Sequence, residues 1–143
     1  MAAFINLLKL SVGSESVEDL EIWQESQRYR WPKGRSVHVT RMWPKREAEV
    51  LAGGSVYWVI KGQILARQRI LGLQGVDEGD GIERCALLLD PDVIRTEAAP
   101  RRPFQGWRYL APDDSPRDLP QGRAQEDALP EEMARALAEL GLR

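Results

Sequence analysis

Apolar and polar positions divide the chain into short segments. Residues 4–12 are mostly apolar and read as an opening strand. Ser16-Val-Glu-Asp19 has the form of a capping box. Val17, Leu20, Trp23 and Gln27 then share one face at helical spacing, which predicts a helix broken by Trp31-Pro32-Lys33-Gly34. Residues 36–42 are β-prone, and Pro44 suits the first turn of a short helix ending at Gly53-Gly54. Residues 56–61 and 64–70 flank Gly62-Gln63, which predicts a β-hairpin with a type II′ turn. Residues 75–81 read as a polar loop. Residues 84–90 read as a buried strand ended by Asp90-Pro91, with 93–96 continuing it. A stiff turn, 100–103, leads to a further segment at 104–110. Residues 111–128 hold three prolines and many charges, and predict an extended surface segment. Pro130 then opens a helix with Met133, Leu137 and Leu140 on one face and Gly141 as its stop. Short strands with terminal helices define an α+β fold. The expected architecture is one domain over 1–143, a small, mostly antiparallel β-barrel or curled sheet with flanking N- and C-terminal helices.

The hairpin can be paired residue by residue. A Gly62-Gln63 loop places Lys61 opposite Ile64, Val59 opposite Ala66 and Tyr57 opposite Gln68 on one face. Ile60/Leu65, Trp58/Arg67 and Val56/Arg69 form the other. Guanidinium–indole stacking at Trp58/Arg67 is worth ~0.5–1 kcal/mol when exposed. Such a face makes a platform for a nucleobase and its phosphate. The bland alternative packs Trp58 under a helix and pairs Arg67 and Arg69 with acids. A slip of one residue exchanges the two faces.

Composition narrows the class without deciding it. The 143 residues, 43% hydrophobic and 29% charged, can bury a core without disulfides or metals. Cys85 is the one cysteine and His38 the one histidine. Neither sits in a metal-ligand spacing, and an unpaired cysteine suits a reducing, cytoplasmic setting. Cys85 opens an apolar run and reads as an inert core residue. No apolar run approaches the ~20 residues that span a bilayer, and residues 1–10 lack the basic leader of a signal peptide.

The net charge of −2 hides a segregation: residues 1–27 carry −4, 28–108 carry +6 and 109–143 carry −4. Of the 20 basic residues, 16 are arginine, which grips phosphate or carboxylate as a fork and stacks on flat rings. The basic middle could meet an anionic partner or simply pair with the acidic ends.

Two further segments mix cations with aromatic rings. Arg41, Trp43, Lys45 and Arg46 cluster in His38-Val-Thr-Arg-Met-Trp-Pro-Lys-Arg46, and Arg101-Arg-Pro-Phe-Gln-Gly-Trp-Arg-Tyr109 follows later. Either can serve as a binding surface, and Phe104 and Trp107 can equally plug a core. No serine stands in a nucleophile elbow. Gly53-Gly-Ser55 precedes a strand, whereas a phosphate-cradling loop precedes a helix. Thr40, Lys61 and Glu97 could form an amide-hydrolysing set, but nothing local links them. A binding module therefore fits better than an enzyme.

Three blocks carry a family resemblance: His38 to Arg46, Gly54 to Ile70, and Arg84 through Leu110. Together they resemble an uncharacterised bacterial family, domain of unknown function 1489, for which no activity is established. The order Gly-x-x-Val-Tyr-(aromatic)-Val, Gly, then Ile-x-Ala-Arg is also similar to the central hairpin of PUA-like barrels, including the EVE and ASCH branches. That similarity implies a barrel whose cleft holds RNA or a modified base, drawing on Arg41, Trp43, Tyr57, Trp58, Lys61 and Arg67. Some ASCH-type members hydrolyse small amides, but their lysine follows the motif glycine, whereas Lys61 precedes Gly62. Adding Arg69, Arg101, Arg102 and Trp107 from the basic–aromatic segments completes the expected nucleic-acid-binding set. The expectation is RNA or a modified nucleotide as partner, with no cofactor, metal or membrane, in a monomer or weak homodimer. A small amide or nucleotide hydrolase and a protein-interaction module are the alternatives.

Overall fold

The computed structural model describes residues 4–27, 29, 35–77, 79–102, 104 and 106–120. In chain order the elements are β1 (Asn6–Leu10), α1 (Val17–Gln27), β2 (Ser36–Thr40), α2 (Glu47–Leu51), β3 (Ser55–Ile60), β4 (Gln63–Asp77), β5 (Glu83–Leu89), β6 (Ile94–Pro100) and β7 (Trp107–Leu110). The strands form one sheet in the order β2-β5-β4-β3-β1-β7, with β6 also pairing to β4. β1 runs parallel to β3, and every other pair is antiparallel. The sheet is thus mixed, mostly antiparallel and not closed. Its two ends nevertheless curl toward each other. The Trp107 indole N–H donates to the Met42 carbonyl at 3.0 Å, and the Arg46 N–H donates to the Tyr109 hydroxyl at 3.1 Å. A curled sheet is present; a closed barrel is not.

All six residues of β3 are buried, because the strand is covered on both faces. Val56 and Trp58 join Leu7, Leu20, Ile70, Leu87 and Leu89 in one core. Tyr57 and Val59 join Leu8, Ile64 and Leu110 in a second core on the other face. Cys85 lies in the first core. Burial, and secondarily the Glu47 carboxylate, pushes its thiol up to about 11, so it stays an unreactive thiol at neutral pH. Gly54 lets β3 approach β1 and α2: a Cβ there would lie 2.2 Å from the Ile5 carbonyl oxygen and 2.6 Å from that of Val50.

The hairpin differs from its sequence reading. Lys61 (φ 52°) and Gly62 (φ 79°) are both left-handed, the signature of a type I′ turn, so Ile60 rather than Lys61 flanks the loop. Ile60 pairs with Gln63 and Val59 with Ile64. A bulge then shifts the register, so Trp58 opposes Ala66, Tyr57 opposes Arg67 and Ser55 opposes Arg69. The expected Trp58/Arg67 pair does not form. The two residues lie on opposite faces of the sheet.

Two other expectations change. The polar 75–81 stretch begins as strand, because pairing with β5 carries β4 through Asp77. The turn starts only there, where the Asp77 carboxylate accepts the Gly79 and Gly81 N–H groups. Ser16 does cap α1, its hydroxyl accepting the Asp19 N–H at 3.1 Å, but the buried face is Val17, Leu20 and Gln24. Trp23 is 49% exposed. The reason is a buried amide pair that sets the helix rotation. Gln24 Nε2 donates to Gln68 Oε1 (2.6 Å), and Gln68 Nε2 donates to Gln24 Oε1 (2.8 Å). Gln68 Oε1 also accepts the Trp58 indole N–H (2.9 Å), and Gln68 Nε2 also donates to the Asp90 carbonyl (3.0 Å).

The segment 111–128 is described only to residue 120. It makes a 3-10 turn at Pro112–Asp114 and bridges Asp118 to Thr96. The predicted breaker at 31–34 and the C-terminal helix from Pro130 lie outside the described residues. Among the described residues no helix is long and apolar enough to cross a membrane.

Candidate functional site

Because successive side chains of a strand alternate, Trp58 and its neighbour Tyr57 serve different faces. Each face carries a cleft.

The first cleft, about 780 Å³, lies between the end of β1, α1 and β2. Lys9, Ser11 and Ser14 come from β1 and the turn after it, Asp19, Trp23 and Ser26 from α1, and His38 and Trp58 from β2 and β3. The size suits a small-molecule site. Trp58, only 1% exposed, forms the floor, and the His38 ring meets it edge-on with centroids 5.1 Å apart. The His38 Nε2 is shielded from solvent and has no hydrogen-bond partner among the described residues. Burial, reinforced by the Lys9 ammonium, pushes the imidazole down to about 4, so it is neutral at pH 7. Burial also lowers Lys9 itself. Val12, Ile22 and Trp23 expose apolar surface at the rim. The cleft therefore offers flat and aliphatic walls, one neutral imidazole without a partner, and an ammonium near it. That set can hold a flat heteroaromatic group and hydrogen-bond its edge.

The second cleft, about 470 Å³, opens on the opposite face. Its lining includes Asn6, Ser55, Tyr57, Arg67, Arg69, Ser115, Arg117 and Asp118. Arg67 is fixed by both oxygens of Asp118 (2.7 Å each) and by the Ser55 hydroxyl (2.9 Å). Asn6 ties the floor together, donating to Ser115 Oγ and accepting the Ser55 N–H, each at 2.9 Å. Burial raises the Tyr57 phenol, which stays protonated.

The expected nucleic-acid-binding residues thus divide. Tyr57, Arg67 and Arg69 line the second cleft, while Trp58 belongs to the first. The others line neither. Trp43 donates its indole N–H to Glu47 (2.6 Å), and Arg41 and Arg102 are exposed. Arg101 donates to the Pro100 and Asp114 carbonyls. Trp107 packs edge-on against Tyr109, partly buried beside the first core. Lys61 is exposed in the turn, 3.9 Å from the Glu15 carboxylate. Neither it nor Thr40 nor Glu97 lines either cleft, so the hydrolytic set is not brought together. Some of the basic middle does pair with the acidic ends, as Arg95 with Glu18 (2.7 Å) and Arg67 with Asp118 show.

Sequence reasoning missed Lys9, Trp23 and His38 as one site and Arg117 with Asp118 as part of another. The usable signal was the tryptophan on an otherwise polar helix. Nothing local pointed to the rest, because long-range pairing assembles it. Among the described residues no group of three or more His, Cys, Asp or Glu could hold a metal ion.

Among the described residues the fold is a β-rich, curled sheet with an open, ligand-sized cleft on each face. The chain belongs to the family described as "Protein of unknown function (DUF1489)", whose model matches residues 7–143. No curated protein and no solved structure matches it.

Proposed function

We propose that the protein binds a nucleobase-bearing ligand, a modified nucleotide or an unpaired RNA base, in the cleft formed by Trp23, His38 and Trp58. The observation that carries this reading is the His38 ring beside an aromatic cleft, its buried Nε2 atom without a partner among the described residues. A buried polar atom of this kind costs stability unless something completes its hydrogen bond. A base edge can do so once the imidazole turns toward the cleft, while the base ring lies against the exposed Trp23 indole. The similarity of the hairpin to PUA-like barrels supports the same reading, as does the arginine-rich middle of the chain.

Tryptophan fluorescence titrated with nucleosides, their methylated forms and short single-stranded RNA tests it. Saturable quenching is expected with at least one base. Trp23→Ala should weaken binding by roughly tenfold, since base–aromatic stacking is worth ~1–3 kcal/mol. His38→Phe keeps a flat ring without the nitrogen and should lose discrimination among bases. Absence of saturable binding by any of these probes at low salt refutes the proposal.

A further inference from the structure

The arginine cleft carries an inference that is independent of the base-binding reading, because it lies on the other face of β3. Three guanidinium groups, Arg67, Arg69 and Arg117, line it against a single carboxylate, Asp118. Asp118 is spent on Arg67. Among the described residues neither Arg69 nor Arg117 has a carboxylate within ion-pair distance. Among the described residues the lining of the cleft therefore carries a net charge of about +2, three guanidinium groups against one carboxylate.

The surroundings are built to present that charge. Three of the five Arg67 N–H groups are engaged by Asp118 and Ser55, which fixes the plane of the fork and leaves the remainder for a ligand. Arg117 is placed by backbone pairing: its carbonyl accepts the Glu97 N–H (2.8 Å), and two residues on the Leu119 N–H donates to Arg95 (2.9 Å). Arg69 is placed by the β3–β4 register opposite Ser55. Below them the floor consists of buried polar groups, Asn6 at 3% exposure and Ser55 at 2%, beside the protonated Tyr57 phenol. Arginine forks over hydroxyl groups match the oxygens of a tetrahedral phosphate anion better than they match a neutral molecule.

We infer that the Arg67–Arg69–Arg117 cleft is a phosphate-binding site. The phosphate is either free, as a phosphomonoester, or part of a nucleic-acid backbone. Asp118 competes with it for Arg67 and so limits its affinity.

Calorimetric titration of the whole chain with inorganic phosphate in low-chloride buffer reads this directly. Saturable binding is expected. The double variant Arg69→Gln, Arg117→Gln should weaken it by about tenfold or more, from the loss of two charge-assisted contacts. Asp118→Asn keeps a hydrogen-bonding partner for Arg67 but removes the competing charge, and should tighten phosphate binding severalfold. A second titration with short single-stranded RNA separates the sources. Tighter, steeply salt-dependent binding that the double variant abolishes identifies a backbone site, and RNA binding no tighter than phosphate identifies a phosphomonoester site.

Trp23→Ala should leave phosphate binding unchanged, and the double variant should leave nucleoside binding unchanged, so failure of one cleft is distinguishable from failure of the other. No saturable phosphate binding by the wild type overturns the inference. So does a double variant that folds normally and binds phosphate as tightly as the wild type.

Discussion

Replacing Gln68 with leucine keeps the approximate volume of the side chain and removes its four hydrogen bonds. The amide is fully buried and joins α1, β3, β4 and the end of β5 through Gln24, Trp58 and Asp90. Without it the Trp58 indole N–H is stranded in a core where the ring is 1% exposed, at a cost of ~1–3 kcal/mol. Gln24, 7% exposed, loses both of its hydrogen bonds to Gln68 and adds ~1–2 kcal/mol, because little water can reach it. The Asp90 carbonyl lies near the surface and recovers its bond from solvent. The greater apolarity of leucine returns about 1 kcal/mol. The net loss should be ~1–4 kcal/mol, read as a lower urea midpoint with an unchanged slope.

A double-mutant cycle sharpens the test. Gln24→Leu alone leaves Gln68 bonded to Trp58 and Asp90 and should cost less than Gln68→Leu. The combined variant removes the stranded Gln24 amide, so its loss should fall short of the sum by ~1 kcal/mol or more. A Gln68→Leu variant within ~0.5 kcal/mol of wild type, or strictly additive losses, would refute the network as the element that orients α1.

Two further expectations concern the sheet. His38 is held near 4 in the fold and lies near 6.5 when unfolded, so the unfolded chain takes up a proton first as pH falls. Its contribution is intact above about pH 6.5 and erodes down to about pH 4. Wild type should therefore lose about 2 kcal/mol more than His38→Phe between pH 7 and pH 4.5, and parallel urea midpoints for the two proteins would contradict this. Gly54→Ala drives a methyl into the Ile5 and Val50 carbonyls and should cost ~3 kcal/mol or more, measured by thermal melting. A wild-type melting temperature would mean that β1 and α2 can separate around that position.

Local chemistry made much of the fold legible. The opening strand, the capped helix, the hairpin and the buried strand at Cys85–Leu89 all follow from periodicity, capping residues and proline, whereas the stretch after Asp90-Pro91, expected to continue that strand, is a separate one, β6, paired to β4. What local chemistry could not supply was the rotation of each element about its own axis. Val17, Leu20 and Trp23 are nearly in line on a helix, and only the pairing of Gln24 with a glutamine 44 positions later selects the edge that turns inward. The same limit governed the site. The sequence concentrates its cations and indoles in the middle of the chain, yet a cleft is assembled by partners distant in sequence, such as Lys9 with His38, or Arg67 with Asp118.

The hairpin shows how sharply a small local choice propagates. Gly62-Gln63 and Lys61-Gly62 are both plausible two-residue turns, since each places glycine where φ must be positive. Choosing the second moves the register, and the bulge near Leu65 returns only part of that shift. One residue of difference takes Arg67 from Trp58 to Tyr57. On a strand of period two, that moves the guanidinium through the sheet to the other face. A single composite site, with a stacked base and a paired phosphate side by side, is then geometrically unavailable to these residues. The tryptophan keeps an aromatic environment with a neutral histidine, suited to a flat ring. The arginines keep a polar floor and an excess of charge, where an anion can be held. A ligand that uses both must reach around the β1–β7 edge or the hairpin tip, so it must be an extended chain rather than a single nucleotide. If the two clefts act on one molecule, binding should strengthen with oligonucleotide length until both are engaged, and then level off.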